Sequence, residues 1–292
     1  MHTLLLSLQL LLHPLSDTIQ YPFPFSIKKT AVPFEWKRYE LKIPAAYRDS
    51  VLKHLRPEYE QMFNNKQYLE SNEYNSSFHF AELNGDGIPD VIYQGWTGSE
   101  GQVVNVYMSM KKQLKKVLQD YTNVVDLKFT GNKLSSVVII NYGCCAEYVQ
   151  FERHYKVDSL SHCILVLQRA KIIGMTDVRT SLTAPEHFFD APIRFKTLND
   201  GYALRYSARI NDTIPEPEKP YERMETKGNI LTLYPRGSYG IAWGSRTDNI
   251  GRVWWLVEMD PQLFIYDQLY SLDNKPTHYF GWMSSRFVEK LP

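Results

Sequence analysis

Residues 78–93, FHFAELNGDGIPDVIY, predict two strands joined by an acidic turn. Phe78 and Phe80 alternate with polar or small residues before the turn, and an apolar run at 91–93 follows it. Such runs, bounded by glycine, asparagine and aspartate, are typical of paired strands. Gly85 and Gly87 allow the sharp bend between them. The sequence therefore predicts that a β-sheet is organised around this turn.

The same turn predicts a calcium site. Calcium takes about 6–8 oxygen ligands at roughly 2.4 Å, and alternate residues of a tight loop supply them. The predicted ligands are the side chains of Glu82, Asn84, Asp86 and Asp90 and the carbonyl of Ile88. The alternative is a hairpin turn of the N-G-D-G type, which needs no metal and leaves its carboxylates in water.

The pattern D-x-N-x-D-G-x-x-D resembles the loop of FG-GAP or VCBS-type repeats. That resemblance implies a calcium ion held between two strands, in a fold that closes into a propeller when the repeat recurs. Glu82 stands where those loops usually have aspartate, and no second copy of the loop occurs in this chain. The resemblance therefore implies a partial, propeller-like sheet.

The amino-acid composition limits the classes of protein to which this chain can belong. The 292 residues are 43% apolar and carry a net charge of +1. With no basic run longer than a lysine pair, a nucleic-acid-binding surface is not expected. The 20 tyrosines, 14 phenylalanines and 6 tryptophans favour strands. We expect a mainly β protein.

The N-terminal segment, MHTLLLSLQLLLHPLS at residues 1–16, predicts a signal peptide and hence a secreted or periplasmic protein. Its apolar run is too short to span a bilayer, and no later stretch is apolar enough to do so. The alternative is an amphipathic helix packed on the body. No lysine or arginine precedes Lys28, which weakens the signal-peptide interpretation.

The three cysteines predict one disulfide and one spare thiol in an exported protein. Cys163 is expected to pair with Cys144 or Cys145, since a ring between the two adjacent cysteines would be strained. A catalytic thiol activated by His154 or His162 is the less favoured alternative, because cysteines among strands are usually buried or bridged.

Apolar spacing predicts the elements of the front half. Residues 34–43 resemble an edge strand, and offsets of three, four and seven predict one helix from Ala45 to about Phe63, which Pro57 is expected to kink or split. Short apolar runs separated by turns then predict an antiparallel meander. Its strands are expected at 103–110, 114–118, 124–129, 134–141, 148–155 and 164–173.

A proline-marked connector at 183–192 predicts a boundary between two domains, 17–190 and 191–292. Four motifs follow it, at 201–207, 228–237, 251–257 and 281–288. Together they resemble a bacterial SH3-like domain, which implies a small β-barrel that binds peptide or peptidoglycan. An insertion at 260–280 departs from that pattern and could fill its groove.

The resemblance implies that Trp254 faces the ligand groove, with Tyr206, Tyr234 and Phe287 as its walls. By strand alternation Trp254 and Trp255 point to opposite faces. Such grooves suit stiff, extended peptides, which lose little entropy on binding. The alternative is that these rings are ordinary packing residues.

No catalytic signature is present, and Glu186, His187 and Asp190 form a compact acid–histidine cluster, which a solvated linker also explains. We therefore predict a non-catalytic extracytoplasmic binding protein of the cell envelope, with a structural calcium ion and a peptide, peptidoglycan or protein partner. The alternatives are a cell-wall or glycan hydrolase that uses the barrel for targeting, and a scaffold without a free groove. Paired glycosidase carboxylates are not visible in sequence, since the fold sets their separation.

Overall fold

A computed structural model describes residues 34–63, 65–96, 101–111, 113–141, 149–172, 185–212, 228–261 and 275–292. The structure is mainly β, with antiparallel and mixed sheets and few helices, and its described strands do not close into a barrel. The predicted signal peptide, Cys144 and Cys145 lie outside the described residues. No helix within the described ranges is both long and apolar enough to cross a membrane.

Three helices form a layer over the front sheet: α1 (Ala45–Phe63), α2 (Lys66–Leu69) and α3 (Asn72–Ser76). The predicted helix α1 is confirmed, and Pro57 lies inside it without ending it. Every fourth residue of α1 is buried, namely Val51, Leu55, Tyr59 and Phe63. Helices α2 and α3 were not predicted, because each is a single turn whose start is set by a side-chain cap rather than by apolar spacing.

The front sheet contains β1 (Phe78–Ala81), β2 (Asp90–Trp96), β3 (Gln102–Met110) and β4 (Gln113–Asp120), all antiparallel and in that order. Its helix side is rich in aromatic rings: Tyr59 contacts both Phe78 and Tyr93, with ring centroids 5.4 and 4.5 Å away. Its other side, including Ile92 and Val104, packs against the second sheet.

Within the described residues, the second sheet contains eleven strands. The first half of the chain contributes β5 (Asn123–Thr130), β6 (Lys133–Asn141), β7 (Val149–Val157) and β8 (Cys163–Ile172). The second half contributes β9 (His187–Thr197), β10 (Tyr202–Arg205), β11 (Ile230–Tyr234), β12 (Tyr239–Thr247), β13 (Val253–Met259), β14 (His278–Ser284) and β15 (Val288–Lys290). The spatial order is β15-β9-β12-β13-β14-β8-β7-β6-β5, and β10 pairs with both β11 and β14.

The six predicted meander strands are all present as β3 to β8, but they belong to two sheets rather than one. The chain changes sheet after β4, where Val124 and Leu127 turn back to pack against Val104 and Leu118 of the front sheet. The sheets thereby cover each other's apolar faces, which one flat meander would leave in water.

The prediction of an edge strand at 34–43 was wrong. The segment contains a 3-10 helix, Trp36–Arg38, and otherwise irregular backbone. Its aromatic residues pack as a cap instead of forming a ladder: Trp36 stacks on His79 with ring centroids 4.0 Å apart. Aromatic alternation alone therefore did not identify a strand.

The predicted connector at 183–192 also differs from the structure, since β9 begins at His187 and the boundary after residue 190 falls inside this strand. Pro192 is tolerated because the register of β9 against β12 jumps there: Ile193 pairs with Ala242, and Phe188 pairs with Gly244. Proline in such an irregularity removes no ladder hydrogen bond.

Candidate functional site

The acidic loop, residues 82–90, joins β1 to β2 as predicted from its glycines. Gly85 and Gly87 have φ of 78° and 79°, in the left-handed region that favours glycine. Oε1 of Glu82 accepts hydrogen bonds from the backbone amides of Gly85 at 2.7 Å and Asp86 at 3.3 Å. The Glu82 side chain thus reaches over the turn, although it is longer than aspartate.

Asn84 and Asp86 complete the tip of the loop. The side-chain amide of Asn84 donates to the carbonyl of Ser109 at 2.7 Å, so its Oδ1 is the atom that accepts from the Asp86 amide at 3.0 Å. Oδ1 of Asp86 accepts from the Ile88 amide at 2.8 Å. Each of these oxygens has a further lone pair, so such hydrogen bonds do not prevent metal ligation.

Asp90 has a different environment from the rest of the loop, because it is fully buried. Its Oδ2 accepts from the Leu83 amide at 2.7 Å, and its Oδ1 accepts from the Ser109 amide at 2.6 Å. Burial raises the pKa of Asp90 to about 7, and the charges of Glu82 and Asp86 also raise it, while the two amide bonds lower it. Asp90 therefore fastens the acidic loop to β3.

The structure brings Glu82, Asn84 and Asp86 together around the loop amides, and Ile88 lies in the same turn. Within the described part of the chain, no group of three or more His, Cys, Asp or Glu side chains is arranged to hold a metal ion. A calcium site here would need the amide oxygen of Asn84 and the backbone carbonyl of Ile88 in addition to the carboxylates. Calcium binding stays a prediction.

The four predicted groove residues do not share one surface. Trp254 is 1% exposed and packs with other aromatic and aliphatic side chains on one face of the second sheet. Tyr206 and Tyr234 are buried in another cluster, together with Trp255. The predicted alternation of the two tryptophans is confirmed, but the structure places Trp254 away from both tyrosines.

Phe287 is 46% exposed, and its ring packs against Tyr202. It lies in a 3-10 helix, Ser285–Phe287, that joins β14 to β15. Its ring meets the edge of Tyr202 at 6.0 Å between centroids, and the Tyr202 hydroxyl donates to the Ser284 carbonyl at 2.5 Å. The Phe287 surface, as named here, comprises Leu198, Tyr202, Val253, Arg286 and Phe287.

Two contacts hold the Phe287 surface together. The Leu198 amide donates to the Phe287 carbonyl at 2.9 Å, and the Ser285 hydroxyl donates to the Val253 carbonyl at 3.1 Å. Sequence reasoning missed Tyr202, Leu198 and Val253. The only signal for Tyr202 was its place in the first motif of the SH3-like series.

A buried charged cluster, Glu152, His154, Arg169 and Glu258, was not predicted as a site. Arg169 is 1% exposed; its Nε donates to Glu258 at 2.8 Å and its Nη1 to Glu152 at 3.0 Å. Nε2 of His154 lies 2.5 Å from Glu152 Oε1. Burial raises the pKa of Glu258, whereas Arg169 lowers it. The sequence signal that could have identified this cluster was the run of charged residues in β7, which interrupts an otherwise apolar strand.

The other predicted reactive groups have ordinary partners. Burial raises the pKa of the Cys163 thiol to about 12, so it is protonated at neutral pH. His162 contacts Asp158 at 3.1 Å. Exposed Glu186 accepts from the Arg246 guanidinium and the Thr247 amide.

Comparison with family models, curated proteins and solved structures finds no significant match to this chain.

Proposed function

We propose that this chain is a non-catalytic, extracytoplasmic binding protein whose acidic loop holds a structural calcium ion. The observation that carries the calcium proposal is the orientation of Asn84. Because its amide nitrogen is held by the Ser109 carbonyl, its Oδ1 faces the amides at the loop tip, together with Glu82 and Asp86. These hard oxygens are of the kind that calcium prefers.

Charge supports the same proposal. Glu82, Asp86 and Asp90 lie within one short loop, and the first two charges help to raise the pKa of the third. A divalent cation would relieve this repulsion and would be expected to lower that pKa. The four antiparallel strands β1 to β4 also have the number and arrangement of one propeller blade, which supports the partial propeller interpretation.

Asp86→Asn tests the calcium site. Asparagine keeps an oxygen that can accept from the Ile88 amide but removes a ligand charge. We expect wild-type protein to gain about 3 kcal/mol of unfolding free energy when calcium is at a hundred times its dissociation constant. The variant should lose most of this gain and match wild type in chelator.

Asp190→Asn is the matched control, since Asp190 is an exposed acid in β9, outside the loop. Thermal unfolding with and without calcium gives the stability, and titration calorimetry gives the affinity. Equal calcium stabilisation of wild type and Asp86→Asn would count against the site.

For the ligand, we propose that the SH3-like module formed by β9 to β15 binds an extended peptide or a peptidoglycan stem at the Phe287 surface. Trp254 is too deeply buried to meet a ligand without rearrangement. Phe287 offers an exposed ring supported by Tyr202, and exposed aromatic residues are frequent anchors in binding sites.

Tryptophan fluorescence, titrated with soluble peptidoglycan fragments and with peptides of alternating sequence, tests this ligand class. Phe287→Ala should weaken binding about tenfold, as expected for loss of an aromatic anchor. Tyr121→Ala is the control, because Tyr121 is 59% exposed on the turn between β4 and β5. No response to any of these ligands would leave the scaffold interpretation standing.

The hydrolase alternative has one observation in its favour, the contact between His154 and Glu152. Both side chains are less than a tenth exposed, and Glu152 is also held by Arg169. Hydrolysis of peptidoglycan by wild type, abolished in Glu152→Gln with folding retained, would replace the binding proposal with the enzyme.

A further inference from the structure

Strands β5 to β8 turn one face to the front sheet and the opposite face, at their hairpin ends, to solvent. Phe129, Tyr155 and Leu165 pack in the apolar cluster shared with the front sheet. Successive residues of a strand point to opposite faces, so the residues beside these three point away from that sheet. This outer face ends at two turns, residues 131–132 between β5 and β6 and residues 158–162 between β7 and β8.

One row of paired residues crosses the outer face from β5 to β8. Lys128 on β5 pairs with Ser136 on β6, which pairs with Lys156 on β7. Lys156 pairs in turn with Ile164 on β8. Directly opposite residues of neighbouring strands share a face, with Cβ atoms about 4.5–5.5 Å apart. Two lysines and an isoleucine therefore lie on the same side of the sheet, and all three are exposed.

Apolar side chains at this end of the sheet are also open to solvent. Leu160, in the turn between β7 and β8, is 67% exposed, and Ile164 and Val166 are each 50% exposed. Asp158 holds the turn by accepting hydrogen bonds from the amides of Leu160 and His162, each at 2.8 Å. The turn thus presents Leu160 to solvent in a fixed position.

Lysines at the same end have no acidic partner. Lys133, next to the β5–β6 turn, is exposed like Lys128 and Lys156, and within the described ranges none of the three forms an ion pair. Of the nearby acids, Asp158 is engaged by its own turn, and Asp126 lies one row further from the turns. The hairpin-end patch, as named here, comprises Lys128, Lys133, Lys156, Leu160, Ile164 and Val166.

We propose that the hairpin-end patch docks on an anionic lipid bilayer, where Leu160, Ile164 and Val166 enter the interface and the lysines bind headgroup phosphates. Exposed apolar side chains together with lysines are the combination that suits a membrane interface. A purely acidic partner would bind the lysines but leave the apolar side chains in water, which favours the bilayer. The patch contains no residue of the acidic loop or of the Phe287 surface.

Co-sedimentation of the full chain with lipid vesicles tests the proposal. One set of vesicles contains phosphatidylglycerol and phosphatidylcholine in equal amounts, and the other contains phosphatidylcholine alone. We expect at least about tenfold tighter binding to the anionic vesicles, since each lysine near an anionic surface contributes about fivefold in affinity. High salt should reduce this difference by screening the charges.

Two pairs of substitutions separate the apolar from the charged contribution. Ile164→Thr with Val166→Thr should weaken binding to the anionic vesicles about tenfold, because less apolar area leaves water on docking. Lys128→Gln with Lys156→Gln should weaken it by about tenfold or more and reduce its salt dependence. All four side chains are outside the core or at its exposed edge, so thermal unfolding should stay close to wild type.

Ile250→Thr and Lys53→Gln are the matched controls. Ile250 is 71% exposed on the turn between β12 and β13, and Lys53 is exposed on α1. Both variants should bind the vesicles as wild type does, because neither residue belongs to the hairpin-end patch.

The outcomes separate the bilayer from other partners. Binding that requires phosphatidylglycerol and is weakened in both pairs of substitutions supports the proposal. Absence of sedimentation with either set of vesicles overturns it. Wild-type binding by either pair also overturns it, and retention by the Ile164→Thr and Val166→Thr pair alone would indicate an acidic partner instead.

Discussion

The acidic loop at 82–90 and the buried charged cluster of Glu152, His154, Arg169 and Glu258 both gather carboxylates, but they treat the negative charge differently. In the cluster, one guanidinium bridges two carboxylates in the protein interior. In the loop, Glu82 and Asp86 face backbone amides near solvent, and no described cation of the protein forms an ion pair with them. A cluster with its own arginine is suited to holding strands together, whereas a loop without one is suited to an ion from solution.

The largest expected effect comes from removing the cation of the cluster. Arg169→Met should lower the free energy of unfolding by about 3–5 kcal/mol, because Glu258 and Glu152 lose the buried charge that compensates them. Urea unfolding measures the loss.

The matched control for this prediction is the double variant Arg169→Met with Glu258→Gln. It should recover part of the stability, since fewer uncompensated charges stay buried. If Arg169→Met alone unfolds within about 1 kcal/mol of wild type, the cluster does not join the strands as described.

The second effect concerns Asp90, the one loop carboxylate that is wholly buried. Asp90→Ala should cost about 2–4 kcal/mol in chelator, because the amides of Leu83 and Ser109 lose their acceptors. Asp90→Asn should cost less, since it keeps one acceptor oxygen.

The pH dependence of protein stability gives a second test of the role of Asp90. Its pKa of about 7 in the fold exceeds the roughly 3.9 of an unfolded aspartate. Its stabilising contribution is therefore full below about pH 4 and is lost as the pH rises through about 7. In chelator, wild type should lose stability between about pH 4 and about pH 7 relative to Asp90→Asn. Parallel profiles for the two proteins would contradict the raised pKa.

The smallest change in stability is expected for an arginine–glutamate ion pair that lies in solvent. Arg56 and Glu60 lie four residues apart on α1 with Nε and Oε1 2.9 Å apart, and both are well exposed. Arg56→Gln should change the free energy of unfolding by only about 0.3–0.5 kcal/mol, and less at high salt. If Arg56→Gln lowered the free energy of unfolding by nearly as much as Arg169→Met, burial would not determine the difference between the two ion pairs.

The sequence correctly predicted those helices, strands and turns that residues close together in the chain determine. The spacing of Val51, Leu55 and Tyr59 predicted α1, and runs of apolar residues between turns predicted β3 to β8. The glycines of the acidic loop predicted its bend. These features depend on neighbours in sequence, so one sequence was sufficient.

Features that depend on distant residues were not predicted. Arg169 and Glu258 meet across 89 positions of the chain, and nothing in either local sequence identifies the partner. Strand alternation predicted that Trp254 and Trp255 face opposite ways but not that Trp254 is covered.

The parallel pairing of β14 with β8 has a consequence for how the chain matures. Among the described residues, two pairs form this ladder, His278 with Arg169 and Tyr279 with Ala170, yet they join strands from opposite halves of the protein. Until the last strands are synthesised, the hydrogen-bonding edge of β8 has no mate and is available to another molecule. Chains truncated after β8 should therefore self-associate. In the full chain, the C-terminal half would protect this edge from aggregation.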